Sequence, residues 1–200
     1  MSVSRSALPV VELLRTTTNR KVIDFMVDQD PDDGFRRTEI MDTVNLSRES
    51  LSRAIGTHEG WGPLYLFGIV DVPNPEASMP RVHRCESEVM AFLEANESYD
   101  FGQWFELSTR QKLTEFFLQR ADPDTEYTRY KIVNESDSSY PGVDNNLDDY
   151  VDANILTRHE ADEDARADEY FRLNDDSDVL NALYVLNDLL YETYEQRADS

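Results

Sequence analysis

One pattern occurs twice along this chain. Residues 21–32, KVIDFMVDQDPD, align with residues 112–124, KLTEFFLQRADPD, once a single inserted residue is allowed. Continuing without a gap pairs Phe35 with Tyr127, Arg37 with Arg129, Ile40 with Ile132, Ser47 with Ser139 and Leu51 with Val143. After an extra loop of about six residues in the first copy, GIV at 68–70 meets NIL at 154–156. Arg84 then meets Arg172, and SEVMAFL at 87–93 meets SDVLNAL at 177–183. A period of about 90 residues is too long for a solenoid repeat and suits a duplicated domain. The expected division is therefore 1–97 and 98–200, each close to the usual size of one domain.

The apolar periodicity predicts the same elements in both copies. A first amphipathic helix, at 18–29 and 108–121, carries Val22, Phe25 and Met26 or Leu113, Phe116 and Phe117, and stops at Asp-Pro. A second short helix follows at 36–44 and 127–135, with Ile40 or Ile132 facing inward. Ser47 is placed to cap a third helix in the first copy. Gly68 and Asn154 stand where a helix-to-strand corner needs a residue tolerant of positive φ. Two short strands then enclose a hydrophilic loop, IVDV to RVHR and ILTRHE to EYFRL, before a closing helix at 86–96 and 176–196. The expected class is mainly α with small β-hairpins, an α+β chain.

Three helices, a hairpin and a closing helix are the parts of a winged helix-turn-helix domain. On RRTEIMDTVNLSRESLSRAI, GIVDV and EYFRLNDDSDVLNAL, the chain resembles the winged-helix DNA-binding regulators common in haloarchaea, here as a tandem pair covering residues 16–97 and 106–196. The resemblance implies a transcription regulator that presents its third helix to the major groove and its wing to the backbone or minor groove. The expected partner is double-stranded DNA, bound at an operator.

Charge bears directly on that expectation. Asp and Glu number 41 against 19 Lys and Arg, a net charge of −22, which ordinarily repels a polyanion. The basic residues are nearly all arginine; Lys21, Lys112 and Lys131 are the only lysines. This bias resembles that of proteins from salt-accumulating archaea. In molar salt the Debye length is about 3 Å, so distant carboxylates barely oppose binding and the groups at the contact decide it.

The first copy supplies those groups. Its third helix offers Ser47, Arg48, Ser50, Ser52 and Arg53, the second helix opens on Arg36 and Arg37, and the wing adds Arg81 and His83. Arg48 and Arg53 are expected near base edges and Arg36, Arg37 and Arg81 on phosphates, because guanidinium pairs bidentately with guanine and with phosphate oxygens. Arg84, recurring as Arg172, is expected to be structural. The second copy reads SSYPGVDNNLDDYVDA at its third helix and HEADEDARADE at its wing. Up to residue 97 there are 10 basic and 16 acidic residues, net −6; beyond it 9 and 25, net −16. The second copy is expected to serve pairing, sensing or partner contact. Two alternatives stay open: an interaction protein whose acidic copy mimics DNA, and a plasmid replication initiator.

Other chemistry is sparse. His58, His83 and His159 lack partners at metal-ligand spacing, seven glycines form no phosphate loop, and no nucleophilic triad stands out, so no metal, cofactor or catalytic activity is expected. The lone Cys85 excludes an internal disulfide and fits a reducing cytoplasm. No apolar run reaches the ~20 residues needed to span a bilayer, so no membrane contact is expected. The aromatic segment WGPLYLFG at 61–68 is read as the insertion absent from the second copy. Finally, Val179, Leu183, Leu186 and Leu190 form a stripe on the closing helix that suggests a homodimer seam.

Overall fold

The computed structural model describes residues 8–57, 59–160 and 168–198. Packing divides them into two compact units: one runs up to Gly102 and takes back the residues from Leu186 onward, the other is Gln103–Val185. The chain is mainly helical, with small antiparallel sheets.

The first unit opens with α1 (Pro9–Leu14) and α2 (Thr17–Val27), separated by Thr16, whose hydroxyl caps α2 by accepting from Asn19 N. Strand β1 (Gly34–Arg36) leads into α3 (Arg37–Val44), and α4 (Arg48–Ile55) follows a turn at Asn45. Ser47 caps α4 by accepting from Ser50 N at 3.1 Å, as its place before an apolar-periodic run predicts. A tight hairpin, β2 (Gly56–Thr57) and β3 (Gly60–Trp61), precedes α5 (Pro63–Leu66). Strands β4 (Val70–Asp71) and β5 (Arg81–Arg84) join β1 in an antiparallel sheet of order β1-β5-β4, and α6 (Glu88–Ala95) closes the segment. Val22, Met26, Ile40, Leu51, Ile55, Leu64, Ile69, Val82 and Val89 are fully enclosed, so the apolar stripes of α2, α3 and α4 meet the inner face of the sheet.

A 3₁₀ turn at Phe101–Phe105 leads into the second unit. There α7 (Ser108–Gln119), α8 (Arg129–Glu135), α9 (Tyr140–Asp144) and α10 (Leu147–Asp152) precede a hairpin of β6 (Leu156–Glu160) and β7 (Glu169–Leu173), and α11 (Asp178–Ala198) begins in this unit. Its core is aromatic: Phe116, Phe117, Tyr150 and Phe171 are buried, and Trp104 packs on Tyr150 at 4.8 Å. Tyr150 hydroxyl donates to Arg110 O and shares a 2.8 Å bond with Thr114, while burial pushes its pKa well above the ordinary tyrosine range.

Several local features recur between the two units. Asn45 (φ 52°) caps the end of α3 and Asp137 (φ 53°) follows the cap of α8, both in the left-handed region, and Gly68 (φ 69°) and Asn154 (φ 58°) precede the strands that follow. Ser139 caps α9 as Ser47 caps α4, and Ser177 accepts from Leu180 N as Ser87 accepts from Met90 N. Lys21 donates to Val44 O, in the last residue of α3, and Lys112 to Asp137 O, just past α8.

Four sequence expectations need correction. The strand register pairs Phe35 with Val82 and Tyr127 with Phe171, and Val70 with Arg84 but Leu156 with Leu173. The counterpart of Arg84 is thus Leu173, and matching Arg84 to Arg172 slips the strand by one residue. Such a slip turns side chains to the opposite face: the Arg84 side chain is 12% exposed, that of Arg172 45%. Second, α5 matches α10, since Ile69 N donates to Leu64 O as Ile155 N donates to Tyr150 O, so the insertion is the 56–62 hairpin instead of 61–68. Third, the residues from Leu186 onward pack with the first unit, which crosses the expected division at 97. Val10 N donates to Asn187 Oδ1, and Arg197 bonds Tyr65 O at 2.8 Å and Cys85 Sγ at 2.9 Å. Fourth, Leu183, Leu186 and Leu190 are fully buried within the single chain and Val179 is half-buried, so this stripe is unavailable as a seam between two copies.

Gly68→Ala is expected to lower stability by about 1–2 kcal/mol, because a side chain there must adopt left-handed backbone and its Cβ would lie 2.9 Å from Thr193 Cγ2. Asn154→Gly is expected to change stability by less than about 1 kcal/mol. Urea denaturation in molar KCl measures both, and equal effects would refute the assignment of a strained corner.

Candidate functional site

In the first unit, α3, α4 and the loop between β4 and β5 enclose a groove of about 540 Å³. Arg36, Arg37, Thr38 and Met41 come from the start of α3 and the residue before it, and Arg48, Leu51 and Ser52 from α4. Met79 and Pro80 close it from the β4–β5 loop, and Thr57 from the inserted hairpin. The floor is apolar, with Leu51 fully buried, and the rim is cationic.

The local reasons for this arrangement are visible residue by residue. Arg36 precedes α3, where its backbone N–H donates to the Glu39 carboxylate at 2.5 Å, so the helix entry is fixed without using the guanidinium. Arg37 is half-buried and donates to Gly56 O at 2.5 Å. Burial lowers its pKa from the ordinary arginine value, the signature of a cation partly stripped of water. Arg48, the first residue of α4, is exposed. Among the described residues, Arg36, Arg37, Arg48 and Arg81 have no carboxylate within 4.0 Å, in a chain where acids outnumber bases two to one.

The sequence-derived set divides on this groove. Arg36, Arg37, Arg48 and Ser52 line it together. Ser47 and Ser50 are committed to the cap of α4: Ser50 N donates to Ser47 Oγ, and the Ser47 hydroxyl donates to Ser50 Oγ at 2.9 Å. Arg53 lies outside the lining and is ion-paired with Glu49 one turn earlier. Arg81 donates to Gly34 O, and a His83 ring nitrogen sits 3.3 Å from Pro31 O, so these two tie β5 to β1 and its approach. Thr38, Met41, Thr57, Met79 and Pro80 complete the groove and were not legible as site residues. Met79 is 69% exposed, an apolar side chain held beside cations.

The second unit treats the corresponding surface differently. Arg129, aligned with Arg37, pairs with Asp144 at 3.2 Å and Glu169 at 2.5 Å and lies over the Phe171 ring. Arg158 pairs with Asp148 and Glu169 and covers the same ring, and Arg110 pairs with Asp149. Lys131 is 3.9 Å from Glu135 and lies over Tyr127. The carboxylates of α9 and α10 therefore answer arginines of their own unit, and only a part of their charge is left to act outward. The acidic run between β6 and β7, at 161–167, and His58 lie outside the described residues. Among those described, no cluster of three His, Cys, Asp or Glu side chains can hold a metal ion, and no helix is long and apolar enough to cross a membrane.

The chain matches no protein-family model, no curated protein and no solved structure.

Arg129→Ala is expected to destabilise the second unit by about 1–3 kcal/mol, because it removes the shorter of the two arginine contacts to Glu169, whose side chain is 21% exposed, and the arginine contact to Asp144. Arg53→Ala is expected to cost about 0.5 kcal/mol or less, since both partners of that surface pair are mostly solvated. Thermal or urea unfolding separates the two, and a reversed order would contradict the pairing described.

Proposed function

We propose that the chain is a DNA-binding transcription regulator, built as two winged helix-turn-helix units, that binds duplex DNA through the α3–α4 groove of its first unit. The observation that carries it is the convergence of Arg36, Arg37 and Arg48, none of them ion-paired among the described residues, on one groove of a chain with net charge −22. An acidic protein that leaves arginines unanswered on one face, while pairing those on the corresponding face of its other unit, has kept that face for an external anion. A nucleic-acid backbone supplies a row of such anions. Arg36 and Arg37 then contact phosphates, Arg48 reaches base edges from the start of α4, and the β4–β5 loop acts as the wing.

The large negative charge fits a protein working in molar salt, where a Debye length of about 3 Å confines the field of the second unit to its own surroundings. Contact with protein is the second reading for that unit. Tyr130 is 70% and Tyr140 52% exposed, at the positions that Thr38 and Arg48 hold in the first unit. Exposed tyrosines beside paired charges suit protein recognition better than phosphate contact.

Fluorescence anisotropy against the upstream DNA of its own gene and a scrambled duplex, from about 0.3 to 3 M KCl, tests the proposal. Arg48→Ala is expected to weaken preferred-site binding by about tenfold or more. Arg36→Ala should weaken both duplexes alike and reduce the salt slope by about one. Arg53→Ala should change little. Retention of neither duplex by the folded protein would exclude DNA as the partner.

A further inference from the structure

A second cavity, of about 370 Å³, adjoins the groove and shares Arg37, Thr57 and Pro80 with it. Its remaining walls are Trp61, Val72 and Pro75, with Glu59 at the rim. Three features set it apart from surface relief. Trp61 and Glu59 belong to the hairpin insertion that the second unit lacks, so this compartment has no counterpart there. The wall is braced from behind: Tyr65 stacks on one face of Trp61 at 3.9 Å and 16°, and the Arg197 guanidinium lies 4.7 Å over Tyr65. The two ends of the hairpin meet closely, since a Cβ at Gly56 would lie 2.2 Å from Gly62 N.

The charges are arranged with equal economy. Arg37 and Glu59 line the same cavity without being within 4.0 Å of each other, and neither makes an ion pair among the described residues. An unpaired guanidinium and an unpaired carboxylate separated by apolar walls present opposite charges to one guest. A purely anionic guest would meet repulsion from Glu59, and a purely cationic one from Arg37. The volume lies within the range of small-ligand sites, about 300–1,000 Å³.

We propose that this cavity binds a small zwitterion with an apolar body, the chemistry of an apolar α-amino acid, its carboxylate on Arg37 and its ammonium on Glu59. The apolar body packs against Trp61, Val72 and Pro75. Because Arg37 also lines the groove, the guest withdraws one of the cations offered to DNA and weakens DNA binding. That regulatory half rests on the DNA-binding proposal above; the ligand site does not.

The test titrates the full-length protein with L-phenylalanine and L-leucine in molar KCl and follows tryptophan emission excited at wavelengths that phenylalanine does not absorb. A saturable change that disappears in Trp61→Phe is expected for at least one of the two amino acids. Phenethylamine, which lacks the carboxylate, and N-acetyl-L-phenylalanine, which lacks the ammonium, are expected to bind about tenfold or more weakly than L-phenylalanine, as are the amino acids to Arg37→Gln and Glu59→Gln. No saturable change at Trp61, or equal binding of the zwitterion and both singly charged analogues, would overturn the site. In the DNA assay, the bound amino acid should raise the Kd of the wild-type protein and leave that of Glu59→Gln unchanged. Amino-acid binding to a protein that retains no DNA would refute the regulatory half alone.

Discussion

The first unit depends on contacts that the end of α11 makes with α5, β4 and the residue after β5. Arg197, in the last turn of α11, donates to Tyr65 O at 2.8 Å, Val70 O at 3.3 Å and Cys85 Sγ at 2.9 Å. One guanidinium thus joins the end of α5 to β4 and to the residue after β5. Its plane covers Tyr65, Tyr65 covers Trp61, and Trp61 belongs to the hairpin whose Gly56 carbonyl receives Arg37. Tyr65 and Trp61 hold position well because each has few rotamers, and the Arg197 guanidinium is fixed by its hydrogen bonds. Burial also raises the Cys85 thiol pKa, which keeps it a neutral neighbour of the guanidinium.

The two units share turn and cap features and have made opposite electrostatic choices. Both turn after the second helix on a residue in the left-handed region and cap the following helix with serine. At the start of the second helix, however, Arg37 meets a carbonyl and solvent, whereas Arg129 meets two carboxylates and an aromatic ring. The difference lies in what the adjoining elements bring. The first unit brings a glycine hairpin and a proline-flanked loop, and the second brings α9 and α10 with Asp144, Asp148 and Asp149. A paired cation is stabilised in place and lost to any partner; an unpaired, half-buried one gains most from an anion that arrives.

Much of the fold could be read directly from residue patterns. Ser47 before an apolar-periodic run marked a helix start, and Gly68 and Asn154 marked the two corners, because these signals act within a few residues of themselves. The strand match of Arg84 to Arg172 failed because identity was allowed to outweigh pleat: Cys85 N donates to Ile69 O where Asn174 N donates to Ile155 O, one residue out of step. The leucine stripe on α11 misled for a related reason. Its breadth was a true sign of extensive burial, but periodicity gives the width of a buried face without naming what covers it. Of the candidate site, the arginines were visible as types and positions, while Met79, Thr57 and Pro80 were not, since nothing in a loop sequence says which helix it faces.

The sequence by itself determined the mainly helical class with small hairpins, several caps and corners, and the bias of charge between the two halves, all of which rest on local chemistry or on composition. Only the tertiary structure decided which arginines were answered by carboxylates, which lined a groove, and that the final helix ends in the first unit. Those outcomes depend on side chains far apart in sequence. Arg197 meets Tyr65 across 132 residues, and the groove exists because a loop and two helices close on the same few ångströms. Pairing is a matter of distance in space, and a sequence carries that distance only after it has folded.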